Sequence, residues 1–327
     1  PINVRTRVHG YGGGSVATAC TKDQIYVCWI DDSTKNLWCQ SWLVLNESER
    51  GRNYYLEKLS DPICLSNSED YLLAGGLIDL KRNCWLGVME MNNKDYLVHF
   101  SLDKKFQKPF MIYQANDFMG YIALHSQSNK LAWVEWQSPS MPWDSSQLWV
   151  AELNDLVSIS KCSLIAGQDL NSEKAISIFQ PLWLANGKLV VSEDLTGWWN
   201  PMVAEINLHS DEKIIWQRLW PMNAETAMPQ WVFGMSNLAS NDEKIIASIC
   251  DQGSWKISLL SQEGLITNIN QPFNDIAGLH AQKDRLVAIA SSPISEDGLL
   301  EIDLNNGNWK HTLSRDPLVK KETISVP

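Results

Sequence analysis

Six histidines, His9, His99, His125, His209, His280 and His311, are the chain's candidates for proton transfer. A serine hydrolase would pair one of them with a carboxylate and with a serine held in a sharp strand-to-helix turn. The nearest string to the required G-x-S-x-G is Gly13-Gly14-Ser15-Val16-Ala17. It lacks the last glycine and runs into a β-type apolar segment. The stretch from Gly12 to Ala17 also fits G-x-G-x-x-A, but a dinucleotide site needs a strand before it and a helix after it. Neither pattern is present, so the glycines are read as places where the backbone passes close to its neighbours. The carboxylate pairs Asp31-Asp32 and Glu193-Asp194 stand at turn entrances. Glycosidase chemistry needs two carboxyls roughly 5–10 Å apart across a cleft, and loop hydrogen bonding is the plainer role for both. Asp144, after Trp143, either caps a turn or meets another domain, with capping favoured. No residue is assigned a catalytic role.

Metal and disulfide chemistry find no support either. The seven cysteines, Cys20, Cys28, Cys39, Cys64, Cys84, Cys162 and Cys250, include no C-x-x-C. No Cys/His pair has zinc-ligand spacing, so neither a metal nor a cofactor is expected. Most of the thiols fall inside apolar strand-like runs and are read as buried and reduced, as in a cytoplasmic protein. The net charge is −11 with no basic cluster, which argues against nucleic acid and anionic membrane as partners. No run of 18 apolar residues and no apolar signal region is seen.

The elements that would position these groups repeat. Six units of strand, polar turn and strand begin at Gln24, Asn83, Lys130, Lys188, Lys244 and Asp284. Their first strands end near Asp31, Glu90, Gln137, Asp194, Asp251 and Ser291. A period of about 40–50 residues with several strands per repeat marks a β-propeller. An inner strand precedes most units, at Ser15, Tyr71, Tyr121, Ile176, Trp231 and Ile276. Vaguer outer strands start at Tyr54, Pro109, Ser160, Lys213, Ile266 and Asn308. The expected fold is all-β, with about six complete blades of four antiparallel strands over residues 1–316. Residues 317–327 are expected to form a linker. The opening Pro1-INVRTRVHGYGGG reads as the end of an outer strand running into the first inner strand, which implies a seventh blade that is either truncated here or completed by other chain segments.

Blade geometry sorts the loops. In a four-stranded up-and-down blade, the loop between strands two and three shares a face with the connection to the next blade. That face collects residues 5–14, Asp31 and Asp32, and residues 137–146, 194–199, 221–230 and 251–253. It carries Arg5, Arg7, His9, Tyr11, Trp143, Asp144, Trp198, Trp199 and Trp231. Long loops with aromatics and charges make it the expected contact face. Of the 16 tryptophans, Trp38, Trp149 and Trp255 recur near the start of a unit's second strand. That recurrence points to packing between blades. Trp198 and Trp199 are expected to divide into one structural and one interfacial residue. His125 and His280 end inner strands, where they either pack or line a central channel, with packing favoured.

Four spaced segments carry a resemblance: Arg5-TRVHGYGGG, Met141-PWDSSQLWVAEL, Gln180-PLWLANGKLVVSEDLTGWWN and Pro229-QWVFG. In this order they resemble the N-terminal propeller of prolyl-oligopeptidase-family serine peptidases. The nearest branch is that of acylaminoacyl-peptidase and dipeptidyl-aminopeptidase-like proteins. The tail Ile324-SVP is similar to the junction with the family's α/β-hydrolase domain. The resemblance implies a seven- or eight-bladed propeller that caps a Ser-Asp-His hydrolase and filters short peptides by size. It also implies a glutamate where this chain has Gly10, and a hydrolase domain that is absent here. Two further readings stand beside it. One is a stand-alone propeller that binds a protein or peptide. The other, weaker, is a carbohydrate-binding propeller suggested by tryptophans and loop carboxylates. A face stripped of its partner domain, or an unpaired blade edge, would favour homo-oligomers.

Overall fold

The computed structural model describes residues 2–46, 54–125, 127–167, 175–210, 212–241 and 244–316. The expected linker, residues 317–327, lies outside them. Strands account for all the regular structure among the described residues, and they form six antiparallel sheets, the blades of a β-propeller fold.

Two compact units form, each with three blades. Unit 1 spans Pro1–Pro142, Gln147–Ala166 and Trp231–Gly234. Its first blade is β1 (Val16–Cys20), β2 (Gln24–Ile30), β3 (Leu37–Asn46) and β4 (Tyr54–Lys58), with the two-residue β5 (Ile63–Cys64) also on β3. The second is β6 (Leu72–Asp79), β7 (Cys84–Met91), β8 (Lys94–Ser101) and β9 (Phe110–Gln114). The third is β10 (Phe118–Leu124), β11 (Lys130–Trp136), β12 (Gln147–Leu153) and β13 (Ile159–Ala166).

Unit 2 spans Trp143–Ser146, Gly167–Gln230 and Met235–Pro327. Its blades are β14 (Ile178–Trp183), β15 (Lys188–Glu193) and β16 (Asn200–Glu205); β17 (Leu238–Ser240), β18 (Ile245–Asp251), β19 (Ser254–Leu260) and β20 (Ile266–Asn268); and β21 (Asp275–Gln282), β22 (Arg285–Ser292), β23 (Ser295–Asp303) and β24 (Trp309–Leu313).

Local chemistry explains these elements. Strands packed on both faces, such as β7, are nearly all apolar and buried, whereas β23 alternates buried and exposed positions. Asn92 and Asn93 both have positive φ, 54° and 58°, and close the two-residue turn between Met91 and Lys94. Asparagine tolerates the left-handed region that such a turn demands. In unit 1 the Trp85 ring lies over Gly76 and Gly87, where any added Cβ would meet it at 2.0 Å.

Three sequence expectations change. The stretch from Lys213 to Trp220, read as an outer strand, makes a single bridge, Gln217 to Val203, so its blade has three strands. Pro201, two residues before Val203 on β16, has no N–H to offer a further strand, which suits a sheet edge. Second, of the inner strand expected from Trp231, only Leu238–Ser240 forms. Residues 231–234 belong to unit 1 instead. Third, the opening segment is no outer strand: Val4 bridges Asp31 once, and residues 8–11 turn.

Inner strands share a device the sequence did not announce. β6, β10, β14 and β21 each break register after their third or second residue pair. At the break sits a residue with positive φ: Gly75, Tyr121, Gln180 or Gly278. Such bulges re-aim side chains. At Gln180 the freed amide accepts the N–H of Asn237 and of Leu238 at 2.7 and 2.9 Å, and donates to Leu238 O at 2.6 Å.

The tryptophans pack mainly within a blade. Trp29 stacks on Trp38 and Trp133 on Trp149, both at 6.4 Å between centroids and both directly cross-strand. Tyr113, on the neighbouring blade, lies 5.0 Å from Trp133 and 6.2 Å from Trp149, so one of the three recurring tryptophans makes a contact between blades. All seven cysteines are free thiols, with Cys28, Cys39, Cys64 and Cys84 buried. Among the described residues, no helix is long and apolar enough to cross a membrane.

Candidate functional site

The segment from Asn3 to Gly14 is a clamp laid across the blades of unit 1. Its backbone joins the end of β2: Arg5 N–H donates to Ile30 O at 3.1 Å, and Asp32 N–H donates to Asn3 O at 2.8 Å. Asp32 then gathers the side chains. Arg7 donates Nε and Nη2 to its two oxygens at 2.9 and 3.1 Å, Lys35 Nζ lies at 2.8 Å and Asn3 Nδ2 at 3.2 Å. Asp31 turns inward on its own loop and accepts Ser33 and Thr34. Loop hydrogen bonding, the expected role of this pair, is what the geometry shows. The Arg7 guanidinium, and then the Lys35 ammonium, hold the Asp32 carboxyl down at about 2.

A depressed carboxyl contributes stability that is present above its unfolded value, near 3.9, and lost as pH falls through its folded value. The thermal midpoints of the wild-type protein and Asp32→Asn should therefore differ at pH 7. The gap should narrow as pH drops from about 4 toward about 2. A gap that ignores pH would sink this assignment.

His9 is the inward hook of the clamp. Its φ is 54°, and its backbone N–H donates to Glu90 Oε2 at 2.8 Å. Its Nε2 lies 2.7 Å from Asp95 Oδ2, and that carboxylate is 1% exposed and also accepts the Met119 N–H at 2.8 Å. The ring is walled by Phe118, Trp136 and Phe233, with centroids 5.1, 5.5 and 5.2 Å away. Among the described residues no hydroxyl or thiol hydrogen-bonds to the imidazole, and the His9–Asp95 contact ties the clamp to β8.

The glycines after it explain how the clamp lies so flat. Gly13 bridges Phe233 in parallel, and a Cβ on Gly13 would stand 2.3 Å from Phe233 O. Thr6 Oγ1 donates to Gly13 O at 2.6 Å, and Gly75 N–H donates to Gly14 O at 3.0 Å. Beside them Tyr11 and Trp231 meet edge to face at 5.4 Å, yet stay 59% and 50% exposed. Arg5 is exposed, and its side chain makes no hydrogen bond or ion pair among the described residues. Gly10, with φ of 78°, has nothing within 4 Å of a notional Cβ.

Unit 2 holds the other candidates. Trp198 is 38% exposed, whereas Trp199 is partly buried, with its N–H on Glu225 Oε2 at 2.8 Å and its carbonyl accepting from Thr226. Trp198 is thus the more exposed of the two, and both lie in the loop before β16. Glu193 is buried and takes Arg218 Nε at 2.7 Å and Leu195 N–H at 3.0 Å. Asp194 accepts Ser177 N–H at 2.7 Å. Burial, with Glu193 and Glu225 adding repulsion, pushes its carboxyl up. Trp143 is half-buried and Asp144 exposed, on the short segment whose Ser146 is tied to Ile176 and Ile178.

Other histidines do local work. His125 Nδ1 accepts N–H groups of Gln127 and Ser128 at 3.3 and 2.9 Å, which caps the β10–β11 turn. His311 Nε2 meets Ala290 O at 2.9 Å. His280 is exposed on β21. Among the described residues, no group of three His, Cys, Asp or Glu is arranged for a metal.

In unit 1 the structure brings Tyr11 and Trp231 together, with Arg7 tied to Asp32 and His9 to Asp95, and Trp143, Asp144, Trp198 and Trp199 lie on loops of unit 2. Asp95, Glu90 and Phe233 were missed. They lie 86, 81 and 224 residues from His9, and no local pattern links them.

Solved structures share this fold. The chain is similar to a puromycin-hydrolyzing peptidase of Mycobacterium tuberculosis at 22% identity and a TM-score of 0.78, over 95% of this chain and 47% of that one. It is similar to a puromycin hydrolase at 20% identity and a TM-score of 0.78, over 97% of this chain and 48% of the other. Prolyl oligopeptidase B of Galerina marginata matches at 14% identity and a TM-score of 0.59, over 91% of this chain and 41% of its own. The chain therefore spans about half the length of these proteins or less. No family model and no curated protein matches it.

Proposed function

We propose that this chain is the substrate-gating, non-catalytic propeller of a serine exopeptidase of the prolyl-oligopeptidase type, acting on short peptides. The carrying observation is coverage: peptidase structures superpose on nearly all of this chain but on only about half of themselves. The remainder would be a C-terminal α/β-hydrolase domain that supplies the triad. The clamp supports this reading, because His9–Asp95 is built for positioning and leaves Arg5, Tyr11 and Trp231 facing outward. Trp143, Asp144, Trp198 and Trp199 are assigned to the same contact role. The parent is assigned to the acylaminoacyl- or dipeptidyl-aminopeptidase-like branch. The free thiols support a reducing, cytoplasmic setting.

The purified 327-residue chain is expected to leave aminoacyl and acyl-aminoacyl anilides uncleaved. The native gene product is expected to have a mass well above 37.1 kDa and a Gly-x-Ser-x-Gly peptide beyond Pro327. Turnover by the isolated chain, or a native mass near 37.1 kDa, would overturn the reading. The latter result would favour a stand-alone propeller, for which the exposed Tyr11–Trp231 pair is the natural contact.

A further inference from the structure

A concavity lies in unit 2, between β19 and β20 of one blade and the turn between β23 and β24 of the next. Its volume is about 670 Å³, inside the range of roughly 300–1,000 Å³ typical of small-molecule sites. Leu259, Ile269 and the buried Leu304 form an apolar floor. Asn268 and Asn270 line it from one blade, and Asn306, Asn308 and Trp309 from the next. No charged side chain and no histidine lines it, in a chain that is 20% charged.

The hydrogen-bond inventory shows which groups are available. Asn306 is committed: Oδ1 accepts Asn308 N–H at 2.8 Å and Nδ2 donates to Asp303 Oδ2 at 3.1 Å. Asn268 Oδ1 accepts the Ser258 hydroxyl at 2.7 Å, which leaves its amide donors unused. The side-chain amides of Asn270 and Asn308 and the indole N–H of Trp309 bond to none of the described residues. Phe273 holds Trp309 edge to face at 5.4 Å and leaves it 44% exposed.

We propose that this cleft binds a neutral saccharide. A sugar ring offers an apolar C–H face for the indole and, around its edge, hydroxyls that both donate and accept. The asparagine amide, with one acceptor and two donors, is complementary to such hydroxyl pairs, and the large rigid indole supplies contact area. A phosphorylated, sulfated or carboxylated ligand would lose hydration without meeting a cation here. The cleft shares no residue with the clamp.

Saturation-transfer NMR on the full 327-residue chain with cellotriose, maltotriose and tri-N-acetylchitotriose tests it. At least one should bind, with a Kd on the order of 1 mM. Trp309→Ala should weaken that binding at least tenfold. So should Asn270→Ala combined with Asn308→Ala, which removes two exposed amides without bonded partners and leaves the fold intact. Equal affinity for the free trisaccharide and for a serine peptide carrying the same sugar identifies the saccharide alone as ligand. Tighter binding of the glycopeptide identifies a glycosylated chain. Failure of all three sugars to bind, or wild-type affinity in the double asparagine variant, overturns the proposal.

Discussion

Trp133→Ala should lower the unfolding free energy by about 3–5 kcal/mol, the range for deleting a large buried aromatic. Trp133 is fully buried on β11, stacked on Trp149 and packed against Tyr113. Its indole N–H donates to Glu135 Oε1 at 2.8 Å, and Glu135 is itself fully buried. Burial first, opposed by the hydrogen bonds from Trp133 and Tyr113, pushes the Glu135 carboxyl up. Deleting the indole therefore removes packing and also strips a donor from a buried carboxylate, a cost of roughly 1–3 kcal/mol or more where the group is charged. Because that carboxyl is raised, its contribution to stability is present at low pH and lost as pH rises through the folded value. Without the indole N–H that holds it down, the carboxyl rises further, so the variant's deficit should grow as pH rises above the ordinary carboxylate range. Adding Glu135→Gln should recover part of it at pH 8, and a double-mutant cycle reads the coupling. Urea unfolding followed by far-ultraviolet circular dichroism measures all of this. A loss under about 1 kcal/mol, well below the range for deleting a buried Trp or Phe ring, would contradict it.

Phe233→Ala should be the second most damaging change, again about 3–5 kcal/mol. Phe233 is 6% exposed, 5.2 Å from the His9 ring and 6.3 Å from Tyr121. Its ring rests on Gly75 and Gly120, where added Cβ atoms would stand 2.7 and 2.9 Å from it. Its N–H donates to Gly12 O at 2.9 Å, so the ring anchors the clamp. Loss of the ring should loosen the clamp before it unfolds the blades. Hydrogen exchange at Gly12, Phe233 and Gly75 should then speed up together, while β7 and β11 exchange as in wild type. Phe233→Leu, which keeps most of the apolar volume, should restore slow exchange. Equal protection of the clamp in Phe233→Ala would show that Asp32 and Asp95 hold it alone.

Much of the blade pattern was legible because its causes are local. Period-two and fully apolar runs give the strands, and short polar turns with Asn and Gly close them, as at Asn92-Asn93. Outer strands were vaguer because they are less buried: β20 is exposed throughout. Lys213 to Trp220 is apolar enough for a strand, but its pairing is set by the β16 edge, and only Gln217 finds a partner there. The bulges at Tyr121 and Gln180 were invisible for the same reason, since neither residue type signals positive φ. Each is held by a distant backbone group, Val232 O in one case and residues 237–238 in the other.

By itself the sequence determined the all-β class, the repeat and the loops that carry His9, Tyr11 and Trp198. All of these follow from residue type at short range. Only the tertiary structure decided that His9 faces Asp95, that Arg7 and Lys35 share Asp32, and that residues 231–234 leave their neighbours in sequence for the other unit. The saccharide cleft also exists only in three dimensions, because it joins Asn268 and Asn270 to Asn308 and Trp309 across two blades. The physical reason is common to these cases: a hydrogen bond or a buried ring contact is fixed by distance in space, and the chain separation between partners leaves no trace in composition or period.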